Sequence, residues 1–174
     1  MKKDPSLDLL NAAAELGYEA RGATGDHAAL KLWLRMLSCT NQIEAEIRRR
    51  LRLRFDTSLP RFDYLAQLYR EPDGLRMKEL SSHLMVTGAN VTGVTDELER
   101  DGLVARSSSP TDRRSWIVRL TPKGRQQFEA MALEHEQWIL ELFSCLNPSA
   151  VAQVHQQLGS LRVHVLDKQS SSLS

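Results

Sequence analysis

Two adjacent arginines, Arg113 and Arg114, stand behind Asp112 in the short stretch PTDRRSWIVRL. The apolar and β-branched run that follows, Trp116–Leu120, predicts a strand, so the charged residues before it are expected at an exposed turn. Asp112 can orient an arginine through a charge-assisted pair, or it can hold the turn through its own backbone. Positive charge at such a tip suits an anionic partner, although a merely solvated charged turn is the alternative.

A helix predicted from Gly88 to Asp101 carries small or hydrogen-bonding residues away from its apolar stripe of Val91, Val94 and Leu98. Asn can pair bidentately with adenine, and Thr and Ala methyl groups can touch the thymine methyl group, so this composition fits a helix that reads the major groove of DNA. A helix that only packs is the alternative, but its glycines would each cost roughly 1 kcal/mol relative to Ala. The residues expected to contact DNA, with the turn before the helix and the charged tip included, are Thr87, Gly88, Ala89, Asn90, Thr92, Gly93, Thr95, Asp112, Arg113 and Arg114.

Length and charge set further limits. The chain has 174 residues, of which 41% are hydrophobic, and this is enough for one domain with its own core. A net charge of +1 does not by itself indicate a nucleic-acid binder, but the positive charge is unevenly distributed. It is concentrated in two regions, formed by Arg48, Arg49, Arg50, Arg52, Arg54 and Arg61 and by Arg106, Arg113, Arg114, Arg119, Lys123 and Arg125.

Several functional classes find no support in the sequence. Cys39 and Cys145 are far apart and lack metal-ligand spacing, which suits a reducing compartment, and no carboxylate or cysteine cluster joins His155 and His164 into a zinc site. The sequence shows neither a nucleophile beside a base nor a pair of carboxylates, so it gives no indication of an enzyme. No segment approaches the length of a membrane span. We therefore expect a cytoplasmic protein without a cofactor, a metal or a membrane partner.

The hydrophobic pattern predicts a mainly helical chain. We expect helices over residues 6–16, 27–51, 61–69, 76–84, 88–101 and 122–146, and a further apolar seam from Val151 to Val165 after a turn at Asn147 and Pro148. Thr121 can cap the helix that begins at Pro122. The helix over 27–51 is apolar on more than one side, and the seam has coiled-coil spacing, so both are expected to contact a second chain.

The order of these elements is that of a winged helix-turn-helix: a helix, a tight turn, a second helix and then a strand–tip–strand hairpin. The predicted fold is mainly α with a small β-hairpin wing, and long dimerisation helices flank the winged helix-turn-helix. We assign residues 1–26 to an N-terminal extension, 27–60 and 122–167 to dimerisation helices, 61–121 to the DNA-binding module and 168–174 to a disordered tail.

The stretch LSSHLMVTGANVTGVTDELERDGLVARSSSPTDRRSWIVRLTPKGR resembles the MarR family of bacterial transcriptional regulators. The family pattern ends its reading helix in L-E-x-x-G-L-V and continues with a D-R-R wing and L-T-x-x-G. With the flanking long helices, the resemblance covers residues from about 30 to 166. It implies a homodimer that binds an inverted-repeat operator in double-stranded DNA, usually as a repressor.

The same resemblance implies a small-molecule effector between the dimerisation helices and the reading module. The segment LPRFD, beside a tryptophan-bearing first helix, is similar to the subgroup associated with aromatic-acid breakdown, which implies an aromatic carboxylate or an aromatic acyl-CoA as the effector. Aromatic walls and an arginine would suit such an anion. The residues implied are Trp33, Arg35, Arg61, Phe62 and Tyr64.

Alternatives stay open at this point. Cys39 can make the protein a redox-sensing regulator, although its position among apolar neighbours in mid-helix favours a buried cysteine. The winged helix can also serve protein contacts alone, without an effector. The arginines of Arg48–Arg54 either contact phosphates, those of a ligand included, or complement the dipole of the helix that they end. Trp33 and Trp138 are either core residues or ligand platforms.

Overall fold

The computed structural model describes residues 28–84, 88–108 and 115–171, with backbone only for 88–90. The elements are α1 (Ala28–Phe55), α2 (Leu59–Arg70), β1 (Leu75–Arg76), α3 (Met77–His83), α4 (Gly88–Arg100), β2 (Val104–Ser108), β3 (Trp116–Leu120), α5 (Pro122–Leu142) and α6 (Pro148–Ser171). The chain divides into two compact units, one ending at Leu133 and the other beginning at Glu134. The predicted fold class, mainly helical with a small wing, is confirmed.

Short polar signals set the helix ends. The Ser58 hydroxyl accepts a hydrogen bond from the Arg61 N–H over 3.4 Å and caps α2, so this helix begins two residues earlier than predicted. Its Pro60 is tolerated because the first helical turn needs no internal N–H partner. At α5, Thr121 caps as predicted: its Oγ1 accepts from the Gly124 N–H over 3.0 Å. Such caps satisfy N–H groups that the helix leaves unpaired.

The last two helices differ from the predicted bounds. α5 ends at Leu142 rather than Leu146, and tight turns follow it, with Leu146 N–H donating to the carbonyl of Phe143 over 3.0 Å. α6 continues to Ser171, so the prediction of a disordered tail is wrong for residues 168–171. There the Ser170 hydroxyl donates to the Leu166 carbonyl over 3.1 Å, which lets a serine stay in a helix. The predicted helix over residues 6–16 lies outside the described residues.

The wing is a three-stranded antiparallel sheet in the order β1-β3-β2, with Val104 opposite Leu120 and Ser108 opposite Trp116. The two-residue strand β1 was not predicted, because two residues carry no periodicity; it pairs Leu75 with Val118. Gly74, at φ +85°, makes this pairing possible, since a Cβ there would lie 2.5 Å from the Val118 carbonyl oxygen.

The core of the first unit collects apolar side chains from every helix of the winged helix and from the sheet. Phe62 of α2 lies against Phe128 of α5, with ring centroids 5.5 Å apart, and Tyr69 contacts the same ring at 4.9 Å. Arg125 lies over the Tyr69 ring. Fully buried core residues are Leu51, Tyr64, Leu65, Leu68, Leu80, Val91, Leu98, Val104, Val118 and Met131.

Candidate nucleic-acid interface

Helix α4 presents a short uncharged face toward solvent. Thr92 and Gly93 are exposed, whereas Val91, Thr95 and Leu98 are buried against the rest of the winged helix. A Cβ added at Gly93 would meet no atom within 4 Å, so packing does not require glycine at this position. An uncharged face with a bare backbone allows close approach to a partner.

Thr95 departs from its expected place on this face. Its side chain is fully buried, and its Oγ1 lies 2.6 Å from the Val91 carbonyl oxygen and 2.5 Å from the Tyr64 hydroxyl. The expectation that Thr95 is exposed for DNA contact is therefore wrong. Residues 91, 95 and 98 share one face of a helix, so Thr95 belongs to the buried stripe despite its polar hydroxyl group.

The other predicted DNA contacts are only partly described. Gly88, Ala89 and Asn90 form the first turn of α4, but the description covers their backbone alone. Thr87 and the wing-tip residues Asp112, Arg113 and Arg114 lie outside the described residues. The hairpin that leads to the tip is described, and there Arg119 Nη1 donates to the Ser107 hydroxyl over 2.7 Å.

The second half of α4 is acidic, and arginines from other elements neutralise it. Arg106 of β2 bonds the Asp96 carboxylate through Nη2, and its Nε lies 3.1 Å from Glu99 Oε2. The Arg106 N–H also donates to Glu99 over 3.2 Å. These contacts raise the pKa of Arg106, chiefly through the Asp96 hydrogen bond, and they tie the wing to α4.

We call an arginine that binds carboxylates of α4 in this way a clamp. Arg61, near the start of α2, forms the second clamp. It bonds Asp101 through Nη2, and its Nη1 lies 3.6 Å from Glu97 Oε2. The Arg61 hydrogen bond lowers the pKa of Asp101. The sequence prediction placed Arg61 in a ligand pocket and missed both clamps, because partners that are 40 and 10 residues apart leave no local spacing signal. Carboxylates facing DNA would repel its phosphates, so the clamps suit an anionic partner.

The five predicted ligand residues do not converge within one chain. Trp33 is 56% exposed, and 22 residues of α1 separate it from Phe55, roughly 33 Å along the helix axis. Phe55 lies beside Arg61 in a cavity at the far end of α1. Phe62 and Tyr64 are core residues, and Arg35 is exposed on α1. The five residues therefore form no single pocket within one chain, and their meeting at a ligand site of the dimer stays a prediction.

Several cavities border the winged helix instead. One, of about 580 Å³, is lined by Phe55, Asp56, Thr57, Arg61, Arg100, Asp101, Leu103, Lys123 and Gln127. The second, about 370 Å³, lies against α4 and is lined by Ser58, Pro60, Asp63, Tyr64, Leu84, Val91, Val94 and Glu97. The third, about 300 Å³, is lined by Arg48, Arg49, Arg52, Ser58, Leu59 and Pro60.

Other predicted features can be placed in the described part of the chain. Cys39 and Cys145 are both exposed, so the expectation that Cys39 is buried does not hold for the single chain. Trp138 is buried and Trp33 is not. Within residues 28–84, 88–108 and 115–171, no group of His, Cys, Asp and Glu could hold a metal ion, and no helix combines the length and hydropathy of a membrane span.

Comparisons with known proteins agree with this architecture. The sequence pattern that defines the MarR family matches residues 57–116. YkoM, an uncharacterized HTH-type transcriptional regulator of Bacillus subtilis, is 33% identical over 89 residues, which make up 51% of this chain and 58% of YkoM. The transcriptional activatory protein BadR of Rhodopseudomonas palustris is 32% identical over 106 residues, 60% of each chain. The chain thus spans less than two thirds of either relative.

The fold is also that of a solved regulator. The crystal structure of Sco3205, a MarR family transcriptional regulator from Streptomyces coelicolor in complex with DNA, superimposes with a TM-score of 0.72 and 21% identity, covering 84% of this chain and 91% of Sco3205. The proteins that its sequence matches are regulators of transcription. In its winged helix and over residues 57–116, the chain is similar to the MarR family of transcriptional regulators.

Proposed function

We propose that the chain is a homodimeric regulator that binds an inverted-repeat operator in duplex DNA and responds to a small aromatic acid. The observation that carries DNA binding is the exposed, uncharged face of α4 at Thr92 and Gly93. This face belongs to a helix-turn-helix with a wing, and the similar Sco3205 structure is a complex with DNA. Residues near the start of a reading helix are the ones that contact base edges.

Exposed apolar surface supports the homodimer. α6 has no buried residue, and its predicted seam is 40–47% exposed in the single chain at Val151, Val154, Leu158, Leu161 and Val165. An apolar stripe of this length marks a protein contact, and a second copy of the same seam is a self-complementary partner. A two-fold dimer presents two reading helices to one side of the duplex, so the operator is an inverted repeat.

A charge introduced into the apolar seam tests both the homodimer and the inverted-repeat operator. Leu158→Glu should give monomers in sedimentation experiments and abolish binding to duplexes that the wild-type protein selects from a random pool. Val163→Glu is the matched control, because Val163 is 59% exposed and lies off the seam. A stable wild-type monomer at micromolar concentration excludes the dimer, and footprinting of a single asymmetric half-site excludes the inverted repeat.

The effector proposal rests on the 580 Å³ cavity. Its lining has three cations, Arg61, Arg100 and Lys123, against the two carboxylates of Asp56 and Asp101, beside the apolar walls of Phe55 and Leu103, so its formal charge is +1. The 370 Å³ cavity offers Tyr64 as a wall, but its charged residues are Asp63 and Glu97, which disfavour an anion. An aromatic carboxylate or its CoA thioester is therefore better matched to the larger cavity, where a cation can pair with the anionic group.

An effector can change the charge of α4 by competing with its carboxylates for Arg61. An anion that pairs with Arg61 would displace the carboxylate of Asp101, just beyond the end of α4, and that of Glu97 within it. A ligand changes DNA affinity only through its different affinity for the two conformations, and the broken clamp supplies that difference. We infer that the free protein represses and that the effector releases DNA.

Titration of benzoate, hydroxycinnamates and their CoA thioesters against the protein–operator complex tests this part. At least one should release DNA from the wild type, and Arg61→Met should remove the response, while Arg70→Met, at the other end of α2, is the control. If none releases DNA, the aromatic effector is wrong. Measurement of transcription from the operator, with and without the protein, distinguishes a repressor from an activator. The distinction matters because BadR is named an activator.

Exposure of Cys39 favours a second mode of release. An exposed cysteine is open to oxidants, whereas a buried one is not. Peroxide should then release DNA from the wild type and not from Cys39→Ser. If the wild type binds no duplex at any salt concentration, a module for protein contacts replaces the whole proposal.

A further inference from the structure

The arginines that end α1 form a surface groove. Arg48, Arg49 and Arg52 line the 300 Å³ cavity together with the Ser58–Pro60 segment that begins α2. From Glu44 to Arg54, five arginines stand against two glutamates, so the segment keeps a positive charge even after its internal ion pairs are counted.

The groove arginines remain accessible despite their ion pairs. The side chains of Arg48 and Arg49 are 60% and 59% exposed, and their partners are Glu44 and Glu46 one turn earlier. Exposed pairs of this kind contribute less than about 1 kcal/mol, so the guanidinium groups can turn to a stronger anion. Arg52 forms no ion pair with a residue of the described part of the chain.

The helix dipole accounts for only some of these arginines. Arg52 and Arg54 lie in the last turn of α1, where a cation stabilises the helix end. Arg48 and Arg49 lie about two turns before Phe55, beyond the reach of that effect. Within the helix, Arg48 and Arg49 contribute only through their pairs with Glu44 and Glu46, each worth about 0.2–0.5 kcal/mol.

The groove is continuous with the surface beside α4. Ser58 and Pro60 line both the arginine groove and the 370 Å³ cavity, whose other wall includes Val91 and Val94 of α4. The arginines thus stand to one side of the reading helix, separated from it by the start of α2. In helix-turn-helix proteins the elements beside the reading helix cross the DNA backbone, so phosphates are expected on this side.

We propose that Arg48, Arg49 and Arg52 bind phosphates of the DNA backbone flanking the site read by α4. The proposal rests on the proposed DNA-binding function and adds contacts that carry affinity without sequence preference. Exposed arginines in a groove suit a phosphate chain, since guanidinium groups match phosphate oxygens in bidentate geometry.

Salt dependence of DNA binding tests the proposal. The probe is a fluorescent 40-base-pair duplex selected by the wild type, and the measurement is its dissociation constant between 50 and 200 mM KCl. Each of Arg48→Ala, Arg49→Ala and Arg52→Ala should reduce the slope of log K against log salt by about 1.8, because each substitution removes one phosphate contact, worth about 0.9, from both protomers of the dimer. Arg52→Lys should keep the wild-type slope, because the charge remains.

Arg70→Ala is the matched control: Arg70 is exposed at the other end of α2, about 16 Å along the helix, and its removal should leave the slope unchanged. Circular dichroism and sedimentation confirm that each variant keeps its fold and assembly. Wild-type slopes in all three groove variants overturn the inference while DNA binding stands. Saturable binding of inorganic phosphate with unchanged slopes assigns the groove to a small anion and also overturns it. A wild type that binds no duplex overturns the proposed function and this inference together.

Discussion

The hydroxyl of Tyr64 lies 2.5 Å from Thr95 Oγ1, and both side chains are fully buried. Thr95 has a single hydroxyl proton, and the Val91 carbonyl oxygen, which can only accept, lies 2.6 Å away. Thr95 therefore donates to Val91 and accepts from Tyr64. The pair joins α2 to α4 in the core, directly behind the exposed face of the reading helix.

Removal of the Tyr64 hydroxyl should destabilise the fold. Tyr64→Phe leaves a buried acceptor on Thr95 without its donor, at a cost of about 1–3 kcal/mol in the free energy of unfolding, measured in urea. Tyr69→Phe is the control, because the Tyr69 hydroxyl donates to Glu129 at an exposed site and its loss should cost less than about 1 kcal/mol. Equal losses in both variants would contradict the assigned geometry.

The same tyrosine should make stability sensitive to alkaline pH. Burial raises the pKa of Tyr64 to about 12, against an ordinary value of 10.0. Its contribution is therefore fully present below pH 10 and is lost as the pH rises toward 12. The stability difference between wild type and Tyr64→Phe should shrink across this window, and a difference that stays constant in denaturant titrations would refute it.

A substitution at Gly93 should change protein stability and DNA affinity in opposite directions. Gly93→Ala fills open space on α4, so it should stabilise the protein by up to about 1 kcal/mol while it weakens operator affinity, if the backbone comes close to DNA there. Gly159→Ala in α6 also meets open space and should stabilise similarly with unchanged affinity. Unfolding and anisotropy titrations measure the two effects. Unchanged DNA affinity in Gly93→Ala would remove this face from the interface.

Gly124 is required by packing rather than by backbone conformation. A Cβ there would lie 1.9 Å from the Leu103 carbonyl oxygen, so α5 would have to move away from the end of α4. Gly124→Ala should cost about 1–3 kcal/mol or more. At Gly102, with φ +72° and open space, Ala should cost only the roughly 1–2 kcal/mol of a left-handed residue. Thermal unfolding that ranks Gly102→Ala as the worse variant would speak against this contact.

The Arg106 clamp should matter for DNA binding more than for stability. Arg106→Met leaves Asp96 and Glu99 unneutralised and should weaken operator binding several-fold, with unfolding changed by about 1 kcal/mol. Asp96→Asn should restore part of the affinity of Arg106→Met, as a double-mutant cycle would measure. Arg119→Met, on the neighbouring strand, is the control for loss of charge on the wing. Strictly additive effects of the Arg106 and Asp96 changes would show that the clamp has no role.

Local signals predicted most of the secondary structure. Signals from residues within one or two turns of each other were enough for three features. They are the start of α5 at Pro122 with its cap Thr121, the strand Trp116–Leu120 and the long flanking helices. The buried position of Thr95 was also open to prediction, because residues 91, 94, 95 and 98 complete one helical stripe. Thr95 was assigned to the exposed face because its side chain is polar. A polar side chain can still be buried where a partner such as Tyr64 satisfies its hydroxyl group.

The order of elements, the family pattern and the apolar seams can be predicted from the residues alone, because they depend on short-range periodicity and on turn chemistry. The packing of the helices was needed to show that Arg61 and Arg106 neutralise α4 and that β1 completes the wing. These contacts join residues that are distant in the chain, so their partners follow from how the helices pack. The same reason explains why the five residues expected at one ligand site separate: along α1, roughly 1.5 Å per residue carries Trp33 far from Arg61.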